Sequence, residues 1–240
     1  MARNTYGYGT PNWEMVGRWL ELPPEQDGPF WALNLMKYRE VAAYAEGDEQ
    51  AAAISGKEAD DAYSPLGPLA AIGAMVTFHG DVLAQRVGAP AWDRIGIVRY
   101  PSRAAFFAMQ QRDDFKKQHT HKEAGMEFTI VMATHPESHD ASVDAGEGQF
   151  VLTVERVASG TPAAALPGVT NVATFSVEGV IVGDERTWSR VRFDRADDEI
   201  ALDAIVASAL SAEDAVVVVV DRAIDNLIES IVTAPVAQGS

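Results

Sequence analysis

Residues 92–109, WDRIGIVRYPSRAAFFAM, decide the reading of the fold. Ile95, Ile97 and Val98 form a short β-branched run, so the stretch begins as a buried strand. Pro101 has no N–H for a strand ladder and stops it, and Ser102 is a good N-cap for a helix carrying Ala105, Phe106 and Met109. The pattern returns in TWSRVRFDRADDEIALDAIV, residues 187–206. Trp-x-Arg-apolar-x-apolar-x-Arg runs through Trp92, Arg94, Ile95, Ile97 and Arg99, and again through Trp188, Arg190, Val191, Phe193 and Arg195. Each copy is followed by a helical pattern, which predicts a chain of two related halves.

Outward from the first copy, FWALNLMKY (30–38) reads as a strand that is apolar on both faces except at Asn34 and Lys37, as in a sheet covered on both sides. Ser55 and Glu58 form a capping box, and the helix they start carries Tyr63 and then either restarts at Ser64 with Pro65 at its first position or is kinked there, with Gly73 beyond its end. Ala74–Val82 is the second strand, and Gly88–Pro90 turns the chain into the Trp92 strand. Asp113–Gly125 is a helix and Phe128–Ala133 a fourth strand. The order is β-α-β-β-α-β, a ferredoxin-like unit. Residues 1–12 read as a tail, with Asn12 capping a short helix that carries Trp13, Val16 and Leu20. A polar loop passes through Gly47 and Asp48, and residues 137–148, rich in Asp, Ser, Gly and Glu, read as a linker. The second half repeats the order with strands over 150–157, 172–182, 187–193 and 215–220, and helices over 200–210 and 224–231. An Ala/Pro segment, 161–167, stands where its first helix is expected. The five valines 216–220 require a central, covered strand, since such an edge would aggregate. The expected domains are therefore 12–136 and 149–234.

The 240 residues carry a net charge of −16. Residues 1–140 hold 13 basic and 19 acidic side chains (−6), and the remainder 6 and 16 (−10). Neither half offers the basic face that nucleic acid requires. Without Cys there is no disulfide, thiolate metal site or Cys nucleophile. The N-terminus has no apolar leader and no run approaches membrane-span length, so a cytoplasmic location is expected.

On GPFWALNLMKYRE, the SGKEA helix start, GAMVTFHGDV, WDRIGIVRYPSRAAFFAM and the DDF…HTHKEAGM helix, the first half resembles the dimeric α+β barrel superfamily of ferredoxin-like domains, and within it a family of unassigned function. The second half matches in element order and in its Trp-x-Arg strand. The resemblance implies an α+β fold of tandem βαββαβ units that pair their sheets into one barrel, within the chain or between the chains of a homodimer. Members include cofactor-free monooxygenases, lactone isomerases, polyketide cyclases and haem enzymes such as chlorite dismutase. Their pocket lies between a sheet face and its helices, which implies a small apolar or aromatic ligand. The chlorite dismutase type holds its axial His in the C-terminal unit, where this chain has no His. That departure favours a cofactor-free reading over haem, and no metal site is expected.

All five His lie in residues 79–139, so acid/base chemistry near neutral pH belongs in the first half. His79, near a strand end, is either a pocket-facing proton carrier or a satisfied strand-end residue. His119 and His121, at i and i+2, point away from each other on a helix, so they make a poor metal pair. His121 is the one expected to reach the pocket as acid/base, with His119 as a substrate contact. Asn34, a lone amide in an apolar strand, orients a substrate carbonyl or bonds to a neighbouring loop. Tyr38, Tyr63 and Arg103 are further candidate substrate contacts, although packing explains Tyr63 as well. Arg94, Arg99, Arg190 and Arg195 recur, which points to architectural ion pairs, and His135 and His139 fall just before and within the linker. The expected function is a cofactor-independent enzyme acting by proton transfer on an apolar or aromatic carbonyl compound, as isomerase, cyclase or monooxygenase. The alternatives are a non-catalytic ligand-binding or dimerisation module, and a haem-dependent barrel enzyme.

Overall fold

The computed structural model describes residues 7–45, 54–143, 148–158, 160–209, 211 and 213–234. The loop through Gly47 and Asp48 lies outside them. In the first half, β1 (Thr10–Pro11) leads to α1 (Trp13–Leu20), where the Asn12 side chain accepts from the Met15 N–H. After a 3-10 turn (Pro24–Gln26) come β2 (Phe30–Tyr38), α2 (Gly56–Ala62), α3 (Leu66–Ala71), β3 (Met75–Val87), β4 (Arg94–Tyr100), α4 (Arg103–Gln111), α5 (Asp113–Gly125) and β5 (Met126–His139). The Ser55–Glu58 capping box starts α2 on both of its hydrogen bonds. Gly73, at φ 72°, takes the left-handed conformation that ends α3. The second half holds β6 (Gln149–Glu155), β7 (Val169–Gly183), β8 (Arg190–Ala196), α6 (Glu199–Ser208), β9 (Ala215–Val220), β10 (Ile224–Asp225) and α7 (Leu227–Val232). No helix forms over 161–167.

Strand order is β5-β2-β4-β3 in the first half and β9-β6-β8-β7 in the second. Counted within each half, both are 4-1-3-2, the ferredoxin-like order. The halves join along two antiparallel seams, β3 on β9 (Val82 opposite Val220) and β5 on β7 (Thr134 opposite Val177). With β7 also paired to β8, the ring closes. The chain is thus a dimeric α+β barrel built within one polypeptide.

Alternation along each strand sorts residues to the two faces. Trp31, Leu33 and Leu35 of β2 point into the barrel with Ile95, Ile97, Phe175, Val216 and Val218, whereas Phe30 and Ala32 face α1 and α4. Phe78, Phe150 and Phe193 meet inside, with ring centroids 5.5–5.7 Å apart, and so bind one half to the other. The five valines lie buried in β9 between β3 and β6, as their sequence requires. Arg94 is buried against Asp60, Asp61 and Asp81, and Arg190 pairs with Glu155, so these two of the four recurrent arginines are architectural.

Several strands outrun the sequence reading. β3 and β5 extend to Val87 and His139 because the seams supply partners from the other half. His135 and His139 consequently lie on a strand rather than in a linker. β8 begins at Arg190, not Thr187, and Ile224 pairs with His79 in β10 instead of joining the last helix. Tyr8 is buried rather than part of a loose tail. Among the described residues no helix is long and apolar enough to cross a membrane.

The aromatic cluster gives a direct test of the barrel. Phe78→Ala and Phe193→Ala are each expected to cost about 3–5 kcal/mol in urea unfolding. Because the rings touch across the halves, the double variant should lose less than the sum, a coupling of ~0.5 kcal/mol or more. Strict additivity would contradict the packing.

Candidate functional site

Strand register builds the floor of the site. Val131, Asn34, Gly96, His79 and Ile224 stand opposite one another across β5, β2, β4, β3 and β10. Asn34 lies between the inward Leu33 and Leu35, so this row faces out of the barrel, toward the helices. A cavity of about 250 Å³ lies above it, lined by Asn34, Asp60, Tyr63, His79, Gly96 and Lys122 among others. A pouch of about 80 Å³ shares Asn34, Tyr63 and Lys122 and continues to Phe115 and His119. Leu66, Leu69, Val76 and Val98 give the main cavity apolar walls.

Gly96 keeps the middle of the row open. A Cβ at this position would come within 3.1 Å of the Met36 methyl. The second Trp-x-Arg strand carries Arg192 at the matching place, opposite Thr153 and Thr174. Its buried guanidinium pairs with Asp194 at 3.0 Å. The same row is therefore open in the first unit and occupied by a side chain in the second.

The Asn34 amide is held by its neighbours. Nδ2 donates to the Ala32 carbonyl at 3.0 Å, while Oδ1 accepts from Lys122 Nζ at 3.1 Å. Asn34 thus bonds to backbone and holds Lys122 while lining the cavity. The Lys122 ammonium also stands 5.8 Å from the centre of the Tyr63 ring. Burial pulls its pKa below the ordinary lysine value, against the pull of Asp60. Asp60 accepts from Tyr38 Oη at 2.6 Å and from Arg94 at 3.0 Å. Burial, reinforced by Arg94, lowers the pKa of His79 and favours its neutral imidazole.

The two α5 histidines divide as their spacing requires, but in the opposite sense to that expected. His119 turns inward, tilted against Phe115 with ring centroids 5.1 Å apart and with Nε2 2.8 Å from Tyr8 Oη. Burial, with Lys122 nearby, pulls its pKa down to about 4. His121 does not line the cavity; its Nδ1 meets Tyr44 Oη at 2.8 Å. Tyr63 lines both spaces, and burial pushes its phenol pKa well up. Tyr38 lies behind the cavity wall, bonded to Asp60, and is not a lining residue. Arg103 belongs to a separate cluster: it pairs with Glu178 at 2.6 Å and lies over the Trp19 ring. Glu178, held by His135, Trp19 and Arg103, has its pKa lowered to about 2 despite burial.

Lys122 is a residue that the sequence reading did not single out. Phe115, His119 and Lys122 fall at i, i+4 and i+7, one face of a helix, and this spacing is the signal that finds it. The site joins a neutral imidazole and a part-buried amine across an apolar space, so it can accept a proton and meet a carbonyl oxygen.

No protein-family model and no curated protein matches the chain. Among solved structures, it is similar to a protein of unknown function from Rhodopseudomonas palustris, 27% identical over 53% of this chain and 95% of that one, at a TM-score of 0.45. It is also similar to a protein described as anthrone oxidase-like, 14% identical over 85% of this chain and 97% of that one, again at a TM-score of 0.45.

His119 predicts a pH signature. Its folded pKa of about 4 lies below the ordinary 6.5, so the unfolded chain binds the proton more readily. Its contribution is fully present above about pH 6.5 and is lost as pH falls through 4, about 3 kcal/mol in all. Urea unfolding of His119→Phe across this window should show a correspondingly flatter pH dependence than the parent chain. Equal slopes would contradict the assignment.

Proposed function

We propose that the chain is a cofactor-independent enzyme that moves a proton on a small apolar or aromatic carbonyl compound. The observation that carries this reading is the placement of His79 and Lys122 on one apolar cavity whose floor is open at Gly96. The walls of Leu66, Leu69, Val76 and Val98 accept the ring, and Lys122 meets the carbonyl oxygen. His79, held neutral, takes the proton from the adjacent carbon as negative charge moves onto that oxygen. Isomerisation, cyclisation and oxygenation of such a compound can each begin with this carbanion.

The test uses 2-tetralone as probe, following exchange of its α-protons in D2O by NMR. The parent chain should exchange them faster than buffer does. His79→Gln should slow exchange by about 10²–10⁴-fold, the usual contribution of a positioned base. Gly96→Arg, which copies the second unit, should abolish the acceleration while leaving the circular dichroism spectrum intact. Saturable binding of 2-tetralone without accelerated exchange would make the chain a binding module and overturn the catalytic reading.

A further inference from the structure

We propose that Lys122 is a covalent amine nucleophile, which forms an imine with carbonyl compounds entering the cavity above Gly96. The inference deepens the carbonyl reading given under Proposed function and rests on it for the class of ligand. It asks more of Lys122, however, than a charge beside an oxygen.

The case begins with geometry. An amine that attacks carbonyl carbon must be neutral, reachable and fixed in direction. Lys122 lines both the main cavity and the pouch, and its Nζ lies beside Asn34 and Tyr63, which line both as well. One neutral hydrogen bond, to Asn34 Oδ1 at 3.1 Å, fixes its direction. Among the described residues no carboxylate lies within ion-pair distance of it. Asp60 also borders the cavity, but it is taken up by Tyr38 Oη and Arg94. The other groups around the space are uncharged or apolar: the Tyr63 ring below the ammonium, neutral His79, and the walls of Leu69 and Val98. Burial in these surroundings strips an ammonium of its hydration, which the Tyr63 ring and the more distant Asp60 offset only in part, and the lowered pKa of Lys122 agrees. Lys57, by contrast, pairs with Asp61 and Asp81 on the surface, and Lys116 pairs with Asp113.

The step balances without any further reagent. The Nζ lone pair attacks the carbonyl carbon, the C–N bond forms, and the C=O π pair moves to oxygen, which takes up a proton. Nitrogen loses one proton to give the neutral carbinolamine, the hydroxyl takes up a second proton and leaves as water, and nitrogen releases its remaining proton as C=N forms. One amine and one carbonyl give one imine and one water, with no change of oxidation state. Once protonated, the imine is a better electron sink than the ketone, so His79 can remove the adjacent proton more readily.

Reductive trapping tests this with a probe that has no α-proton and so does not depend on His79. The full chain is incubated with benzaldehyde and sodium cyanoborohydride, and its intact mass and peptide map are read. One benzyl group on Lys122 is expected, formed at least 10-fold faster than on Lys57 or Lys116. Lys122→Arg, which keeps the charge and lacks the nucleophile, should lose this adduct and keep its circular dichroism spectrum. It should also slow 2-tetralone exchange at least 10-fold. Labelling confined to surface lysines and the N-terminal amine, or unchanged exchange in Lys122→Arg, would overturn the imine. If Lys122 is trapped but 2-tetralone is not exchanged by the parent chain, the imine stands and the proton-transfer reading fails. The two claims are thus separable.

Discussion

Everything in this chain depends on the two seams. A ferredoxin-like sheet has one strand on each edge whose hydrogen-bonding groups need a partner, and here each half supplies the other's. β3 meets β9 and β5 meets β7, and the ring that results leaves none of its eight strands with an open edge. Closure also fixes what may lie inside. The inward rows must fill a barrel interior, and Trp31, Phe78, Phe150, Phe175 and Phe193 do so together with Val216, Val218 and Val220 of β9. The outward rows are then left to the helices, and only there can a cavity be opened without weakening the shared core.

The local rules of the sequence carried much of this. β2, α5 and β9 begin and end where their composition says they should, because each is bounded by signals within a few residues of itself. The Ser55–Glu58 box and the Asn12 and Ser102 caps are equally local. What escaped were the lengths of β3, β5 and β7. Their far ends are polar or irregular by composition, and they become strand through partners far away in sequence. Pro136, Ser138 and His139 look like linker to any rule with a short reach, yet they run opposite Phe175, Thr174 and Ala173.

The site was legible in a different way. Asn34 stood out as a polar exception in an apolar strand and His79 as a histidine near a strand end, and both lie on the cavity floor. What could not be read from composition was which way α5 rotates. That helix is polar almost all round, and few of its side chains, Phe115 and Ala124 among them, are buried. The anchor at Phe115 sets the rotation, carrying His119 and Lys122 inward and His121 out. Arg103 and Tyr38 illustrate the converse: each is buried with well-matched partners, one on Glu178 and one on Asp60, and those partners account for it.

Gly96 and Arg192 occupy the same place in the two halves and make opposite use of it. In a barrel formed by two identical chains, symmetry would force the same residue on both positions, so every pocket opened would be opened twice. Covalent fusion removes that obligation. One half can specialise in holding a ligand while the other becomes a solid buttress, its guanidinium standing where a guest would otherwise sit. A chain of this kind behaves as a heterodimer whose stoichiometry is guaranteed by the peptide bond. Its two halves are free to accumulate changes that no symmetric assembly could carry.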